Sequence, residues 1–274
     1  MMKERTLRVL EFTKIRDRLA SKAMTDMGRE RCEALVPSSN MTEIQRMQAE
    51  TEEATVILQY VGASPLVPFS DVRASLTLAE KGATLSPKAL LEVAALMQSA
   101  RAARKALDTE RDNTPILKEL AQRLSTLHNV EQDITNAIIS EDEIADRASN
   151  ELMDIRRHLR GANERIKEKL NQMIRSSAFQ KYLQDPIVTM RNDRYCLPVK
   201  AEYRGSVPGL VHDQSSTGAT LFIEPMAAVE MGNELKTWAA KEKQEIERIL
   251  AALSAEIAPY ADQLRETVET LAEL

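Results

Sequence analysis

Apolar residues recur at three- and four-residue spacing along most of this chain, and one stretch, 185–224, breaks the rhythm. The helical spacing predicts α-helix on either side of that stretch, since residues three and four apart share one face of a helix. Over the first 130 or so residues the repeats are of medium length and are separated by short loops. Polar caps mark their starts: Asn40 with Glu43 three residues on, Ser86 before Pro87, and Thr114 before Pro115. Glu80 to Thr84 and Val61 to Pro65 are the clearest breaks, and Gly62 to Ser70, with two prolines, reads as a surface loop.

From Ser140 the pattern lengthens. Ser140 and Glu143 read as a capping box, and an apolar stripe follows through Ile144, Ala148, Leu152, Ile155, Leu159, Ala162, Ile166, Leu170 and Met173 without a proline. At 1.5 Å per residue such a helix is roughly 45 to 50 Å long and is expected to project from a small domain as a lever. Its first residues are acidic (Glu141, Asp142, Glu143, Asp146) and its later ones basic (Arg156, Arg157, Arg160, Arg165, Lys167, Lys169, Arg175), an order that suits the helix dipole. A second long helix is expected from Pro225, with Met231, Leu235, Trp238, Ile246, Ile249, Leu253 and Ile257 on one face. Pro259 breaks or kinks it, and the stripe resumes at Leu264, Val268 and Leu271. Two such helices bury their stripes most simply by packing antiparallel.

Between them, Ile187 to Met190, Tyr195 to Ala201, Val207 to His212 and Ala219 to Glu224 read as short strands. Arg191 to Arg194 is a turn of hairpin type, and Pro198, which has no N–H to donate, places its strand at an edge or at a bulge. The expected fold is therefore mainly α: a helical core domain (1–139), an ascending lever helix (140–184), a small antiparallel β tip (185–225) and a returning lever helix (226–274).

Composition narrows the class. The chain of 274 residues is 43 % hydrophobic and 29 % charged with only 8 Gly and 10 Pro, which fits a folded protein rather than a disordered or repetitive one. No apolar run reaches the ~18 to 20 residues of a membrane span, and the N-terminus is too charged for a secretory signal, so the cytoplasm is the expected compartment. A net charge of −5 gives no general attraction to nucleic acid, so any such binding must come from local basic patches. Cys32 and Cys196 stand apart and read as buried thiols, with no metal site implied.

No catalytic constellation emerges. His212, Asp213, Ser215 and Ser216 are near neighbours on one strand and turn, where side chains alternate in direction and do not assemble a relay. The Ser and Thr side chains are expected to bond their own turn, Glu224 to be a cap or strand-end residue, and His128 and His158 to have no ligand-like neighbours.

The strings Arg191-x-x-Arg194-Tyr195-x-x-Pro198-Val199-Lys200-Ala201-Glu202-Tyr203-Arg204-Gly205 and Pro208-Gly209-Leu210-Val211-His212-Asp213-Gln214-Ser215-Ser216-x-Gly218-Ala219-Thr220-Leu221-Phe222-Ile223-Glu224-Pro225 resemble the clamp region of the bacterial MutS-two family. Gln48 to Ala54 and Ile144 to Arg156 agree, so the resemblance runs the length of the chain. Asn192-Asp193 stands where the family pattern suggests Asp-Gly, and both residues tolerate positive φ. No G-x-x-x-x-G-K-[ST] occurs, so the chain looks like an N-terminal core, lever and clamp piece, without the ATPase domain (ATP and magnesium) and Smr endonuclease domain that the resemblance implies for full-length members.

The resemblance implies binding rather than chemistry for these residues. In a MutS-like homodimer the clamps and levers close around a duplex, and Arg191, Arg194, Lys200 and Arg204 at the tip are the candidate phosphate contacts, with Arg156, Arg157 and Arg160 on the lever as a second tier. Residues 181–225 hold five basic and five acidic side chains, so the tip has no net positive charge. Tyr195, Tyr203 and Phe222 read as core rather than as base-stacking platforms. The implied partners are branched DNA, with suppression of homologous recombination, or collided ribosomes and their rRNA. The alternative is a coiled-coil spacer making only protein contacts. Because the family's ATPase domains supply the main dimer contact, these residues alone are expected to be monomeric or weakly dimeric.

Overall fold

The structure, a computed structural model, describes residues 4–62, 64, 66–108 and 113–274. Its elements run α1 (Glu4–Val9), α2 (Phe12–Ala20), α3 (Asp26–Ala34), α4 (Met41–Val61), α5 (Arg73–Glu80), α6 (Pro87–Leu107), α7 (Pro115–Gln122), α8 (His128–Ala137), β1 (Ile138–Ser140), β2 (Glu143–Ile144), α9 (Asn150–Arg175), α10 (Ser177–Gln180), β3 (Thr189–Arg191), β4 (Arg194–Lys200), β5 (Gly209–Gln214), β6 (Thr220–Pro225), α11 (Met226–Ile257) and α12 (Ala261–Glu273). The fold is mainly α with a small antiparallel sheet, as the periodicity predicts. The chain forms two compact units, residues 1–145 with 249–274, and residues 146–248.

In the first unit α6 is the central helix. Leu90, Val93, Leu96, Met97, Ala100 and Ala103 are each buried, a pattern too wide for a surface helix. The caps at Ser86 and Asn40 form, with Ser86 accepting from the Ala89 N–H and Asn40 from the Thr42 N–H. Glu43 does not close a box on Asn40; the Ser38 hydroxyl donates to it instead. At α7 the expected Thr114 cap is replaced. The Thr114 hydroxyl makes no hydrogen bond, and the buried carboxylate of Glu53, on α4, accepts from the N–H groups of Ile116 and Leu117 at 3.2 and 2.8 Å. A whole negative charge at a helix N-terminus satisfies two orphan donors and complements the dipole, which a hydroxyl does only in part.

The long helix does not begin at Ser140. β1 and β2 pair as a short hairpin, the Ala145 N–H donates to the Ala137 carbonyl at 2.8 Å, and residues 146–148 form one 3₁₀ turn. Ser149 is the cap, accepting from the Leu152 N–H at 2.9 Å. The physical reason is burial: Ile138, Ile144 and Ala145 all enter the first unit's core, which an uninterrupted helix from 140 would not permit. At 26 residues α9 is about 39 Å long.

In the second unit α9 runs antiparallel to α11, as a ladder of contacts shows. Ser149 meets Glu245, Arg156 meets Glu242, His158 stacks on Trp238 at 4.4 Å, and Arg165 meets Glu234. Pro225 is not the first helical residue; it pairs with Gly209 as the last residue of β6, and α11 starts at Met226. The strand order is β3-β4-β6-β5, all antiparallel. Asn192 and Asp193 carry φ of 49° and 56°, the left-handed pair a type I′ turn requires. Leu197, Val199, Val207 and Ile223 face Ile166, Leu170 and Ile174 of α9 and Ala228 of α11 in one core.

Pro198 solves its missing donor by position. Its carbonyl accepts from the Gln184 N–H at 2.9 Å on the side of β4 away from β6. A residue's N–H and C=O point the same way in a strand, so the proline nitrogen also faces the side where β3 has already ended at Thr189.

Candidate nucleic-acid interface

The seven basic residues singled out in the sequence divide into two groups. At the tip, Arg194 is not a surface contact. Its side chain is 14 % exposed and donates to Glu224 at 3.1 Å and to Asn233 at 2.8 Å. Glu224, only 2 % exposed, also bonds His212 Nε2 at 2.8 Å, so one buried carboxylate ties β4, β5 and α11 together. Arg191 pairs with Asp213 at 3.2 Å, lies over the Phe222 ring at 4.0 Å, and donates to the Met190 carbonyl. Arg204 is exposed but turns back on the carbonyls of Val207 and Gly209. Lys200 is half-buried at the end of β4. The tip cations are thus mostly spent within the sheet.

His212, Asp213 and Ser215 point to separate partners: Glu224, the Gln214 N–H and the Thr220 N–H. Tyr195 and Tyr203 pack on the sheet core, and the Tyr195 hydroxyl donates to Asn163 at 2.9 Å. Cys196 is buried, and burial together with the nearby Glu224 charge pushes its thiol up to about 11. Cys32 is only partly covered, so the expectation of two buried thiols holds for one of them. Among the described residues no cluster of three or more His, Cys, Asp or Glu is placed to hold a metal ion. No described helix is long and apolar enough to cross a membrane.

On α9 the arrangement differs. Arg156 is held between Asp146 and Glu242, each at 2.6 Å, and is 19 % exposed. Burial works against its charge, but the hydrogen bonds to Glu242 and Asp146 outweigh it and raise its affinity for the proton. The same contact, led by the Arg156 hydrogen bond, holds the Asp146 carboxyl below its ordinary range. Arg157 and Arg160 stay 71 % and 60 % exposed, with single ion pairs to Asp154 and Asp146.

Arg157 and Arg160 begin a stripe that continues through Glu164, Lys167, Asn171 and Arg175, at helical spacing, on the side of α9 away from Leu152, Ile155, Ala162, Ile166 and Leu170. Lys167 and Arg175 share a shallow groove of about 490 Å³ with Asn171, Gln172 and the carboxylates of Glu164 and Glu168. Lys167, Lys169 and Arg175 are exposed and make no ion pair among the described residues. These three appear in the sequence only as the basic end of a charge gradient. Knowing which cations are neutralised by partners distant in sequence is what separates them from Arg156 and Arg194.

The charge is also divided by unit. Residues 146–248 hold 17 Lys and Arg against 15 Asp and Glu, while the whole chain is at −5. Residues 156–175 alone carry seven basic and two acidic side chains.

No family model matches the chain. Curated relatives do, along all of it. The chain is 45 % identical over 278 residues to Endonuclease MutS2 of Acetivibrio thermocellus, which covers 100 % of this chain and 35 % of that protein. Over the length that aligns, the chain belongs to the MutS2 family. Endonuclease MutS2 of Symbiobacterium thermophilum is 47 % identical over 273 residues, covering 100 % of this chain and 34 % of that protein. That of Alkaliphilus oremlandii is 46 % identical over 275 residues, with 100 % and 35 % covered. The chain therefore spans about a third of the length of the MutS2 relatives it matches.

Proposed function

We propose that residues 146–248 are a nucleic-acid-engaging arm of a MutS2 protein, which grips phosphates without reading bases. The observation that carries this reading is the net-positive outer stripe of α9, with Arg157, Arg160, Lys167 and Arg175 spread over 18 residues, or about 27 Å of helix. Phosphates recur at several-ångström intervals along a backbone, so cations spread along a rigid rod can meet several at once and release the counterions they held. The sheet supplies a firm end for the arm rather than the grip, because its arginines are already paired.

The ligand is branched DNA, in a protein that restrains homologous recombination, or the rRNA of collided ribosomes that the protein senses and splits; both present the same phosphate chemistry. ATP and magnesium binding, endonuclease chemistry and the main homodimer contact are assigned to polypeptide outside the aligned third, and these residues contribute binding. A second reading, a spacer with protein contacts only, is favoured by one observation: Arg156, Arg191 and Arg194 each face a carboxylate of the same unit.

The test is a band shift of a four-way DNA junction, and co-sedimentation with ribosomes, at low and moderate salt. The chain is expected to bind one of the two at low salt and to lose it steeply as salt rises. Arg160→Glu/Lys167→Glu/Arg175→Glu should weaken binding about tenfold or more, each reversed contact being worth a kcal/mol or so. Lack of binding to either ligand at low salt assigns the arm to the spacer reading.

A further inference from the structure

Three ring pairs pack closely among the described residues. Phe179–Tyr182 and Tyr182–Tyr203 belong to the sheet core, whereas His158–Trp238 lies on the α9–α11 ladder, flanked by the ion pairs Arg156–Glu242 and Arg165–Glu234. Its rings are 14° from parallel with centroids 4.4 Å apart, and each is pinned. His158 Nδ1–H donates to the Asp154 carbonyl at 2.8 Å, and Trp238 Nε1–H to Glu234 at 3.3 Å. Lys241 Nζ stands over the indole at 4.2 Å. His158 and Lys241 thus close the two faces of Trp238, and what the stack leaves to solvent is the outer face of the exposed His158 ring. Gly161 keeps that face approachable. At 3.6 residues per turn it falls about 40° from Arg157 and about 60° from His158 around α9, between the cationic stripe and the ring. A helical side chain covers the turn N-terminal to its own Cα, which for position 161 is the turn of His158. Nothing packed there demands glycine, since a β-carbon would meet only Arg165 Nη1, at an ordinary 3.6 Å. Glycine is disfavoured inside a helix, and its effect here is open ground beside His158.

We propose that the outer face of His158 is a stacking seat for one unpaired nucleobase, whose strand is held by the neighbouring cationic stripe. The proposal deepens the nucleic-acid reading and rests on it. A flat ring fixed at the surface beside cations matches a ligand that is both aromatic and anionic, and an unpaired nucleotide at a branch or loop is such a ligand. Arg157, 71 % exposed, and Arg160 beyond it reach the phosphates, while the base crosses Gly161 to the ring. Trp238, backed by Lys241, is a positioning residue that holds the imidazole plane. Every base has a π-face, so the seat adds a preference for unpaired strand without reading sequence. In an uninterrupted duplex the bases are already stacked and paired, and it meets only the stripe.

The test compares a duplex interrupted by a short unpaired gap with the same duplex uninterrupted, as DNA and as RNA, at one low salt concentration and with 2-aminopurine in the gap. The 274-residue chain is expected to bind the gapped form about tenfold more tightly, the scale of one stacked base, and to quench the 2-aminopurine. His158→Ala should lose the preference and the quenching with the salt slope unchanged, since no phosphate contact is removed. His158→Phe, which restores a flat ring, should keep both. Gly161→Leu, which lays a side chain beside the ring and leaves the His158–Trp238 rung in place, should lose both without a fall in Tm. Equal affinity of the wild-type chain for gapped and uninterrupted forms, or a preference that survives His158→Ala, overturns the stacking seat and leaves the phosphate grip standing. Binding to neither form overturns both.

Discussion

Gly232, inside α11, lies against the buried carboxylate of Glu224: a β-carbon at 232 would stand 2.5 Å from Glu224 Oε1 and 2.8 Å from Arg194 Nη1. A helix interior normally disfavours glycine by up to ~1 kcal/mol relative to alanine. Here that cost makes room for the ion pair that joins the sheet to the helix. Gly232→Ala is expected to lower stability by about 1–3 kcal/mol despite the better helix former, because the added methyl overpacks a filled site. A urea titration checks it, and a gain in stability would show that the pair shifts aside freely.

Glu224→Ala should be more severe. It leaves the Arg194 guanidinium, 14 % exposed, without its carboxylate and strips His212 of its partner, a change that typically costs about 3–5 kcal/mol for a buried pair. Arg194→Met/Glu224→Met should recover much of that loss, since replacing both partners by apolar groups leaves no orphan charge. Tm values of the three proteins decide the matter.

The start of α9 can be tested by a pair of serines. Ser149→Ala removes the N-cap and the hydrogen bond to Glu245 and should cost about 1–2 kcal/mol, whereas Ser140→Ala, at an exposed β1 position, should change little. Equal losses would restore the capping box at 140 that the local sequence suggests.

Two carboxylates, Glu245 and Glu256, are expected to respond to acid in opposite senses. The Arg248 hydrogen bond, followed by that from Ser149, holds the Glu245 carboxyl below its ordinary range. A depressed folded-state pKa contributes stability above the unfolded value, and that stability is lost as pH falls through the folded value, in the acid range. Glu256 is shifted up by burial and by Asp133, so its ionised form costs stability at neutral pH and its protonation relieves that cost. Glu256→Gln should therefore raise Tm at pH 7, and Glu245→Gln should lower it there and flatten its fall on acidification; thermal melts from pH 7 to pH 3 measure both.

Cys196 is fully buried with its thiol near 11, whereas Cys32 is partly open. Thiolate is the reactive form, so one thiol should react with a disulfide reagent at pH 8 in the native protein and two after unfolding. Fast reaction of both in the native state would contradict the packing around β4.

Much of the fold is written locally. The stripe from Leu152 to Leu170, the Ser86-Pro87 start of α6, the turn at Asn192-Asp193 and the four short strands all follow from spacing and from backbone preferences that neighbouring residues satisfy by themselves. Strand ends were legible to within two or three residues; the shift of β5 to Gly209–Gln214 comes with a bulge between Val211 and Asp213 that no periodicity announces.

What the residues by themselves determined was the class: helices about a small sheet, a basic stretch on one of them, and the likeness to MutS-two clamps. Only the tertiary structure decided which charges remain for a partner. Glu53 rather than Thr114 caps α7, Glu224 consumes Arg194, and Glu242 consumes Arg156, while Lys167, Lys169 and Arg175 stay open to solvent. The reason is that helix and strand preferences act over a few residues, but a charge is neutralised by whatever the fold brings within about 4 Å of it, here from 30 to 86 positions away.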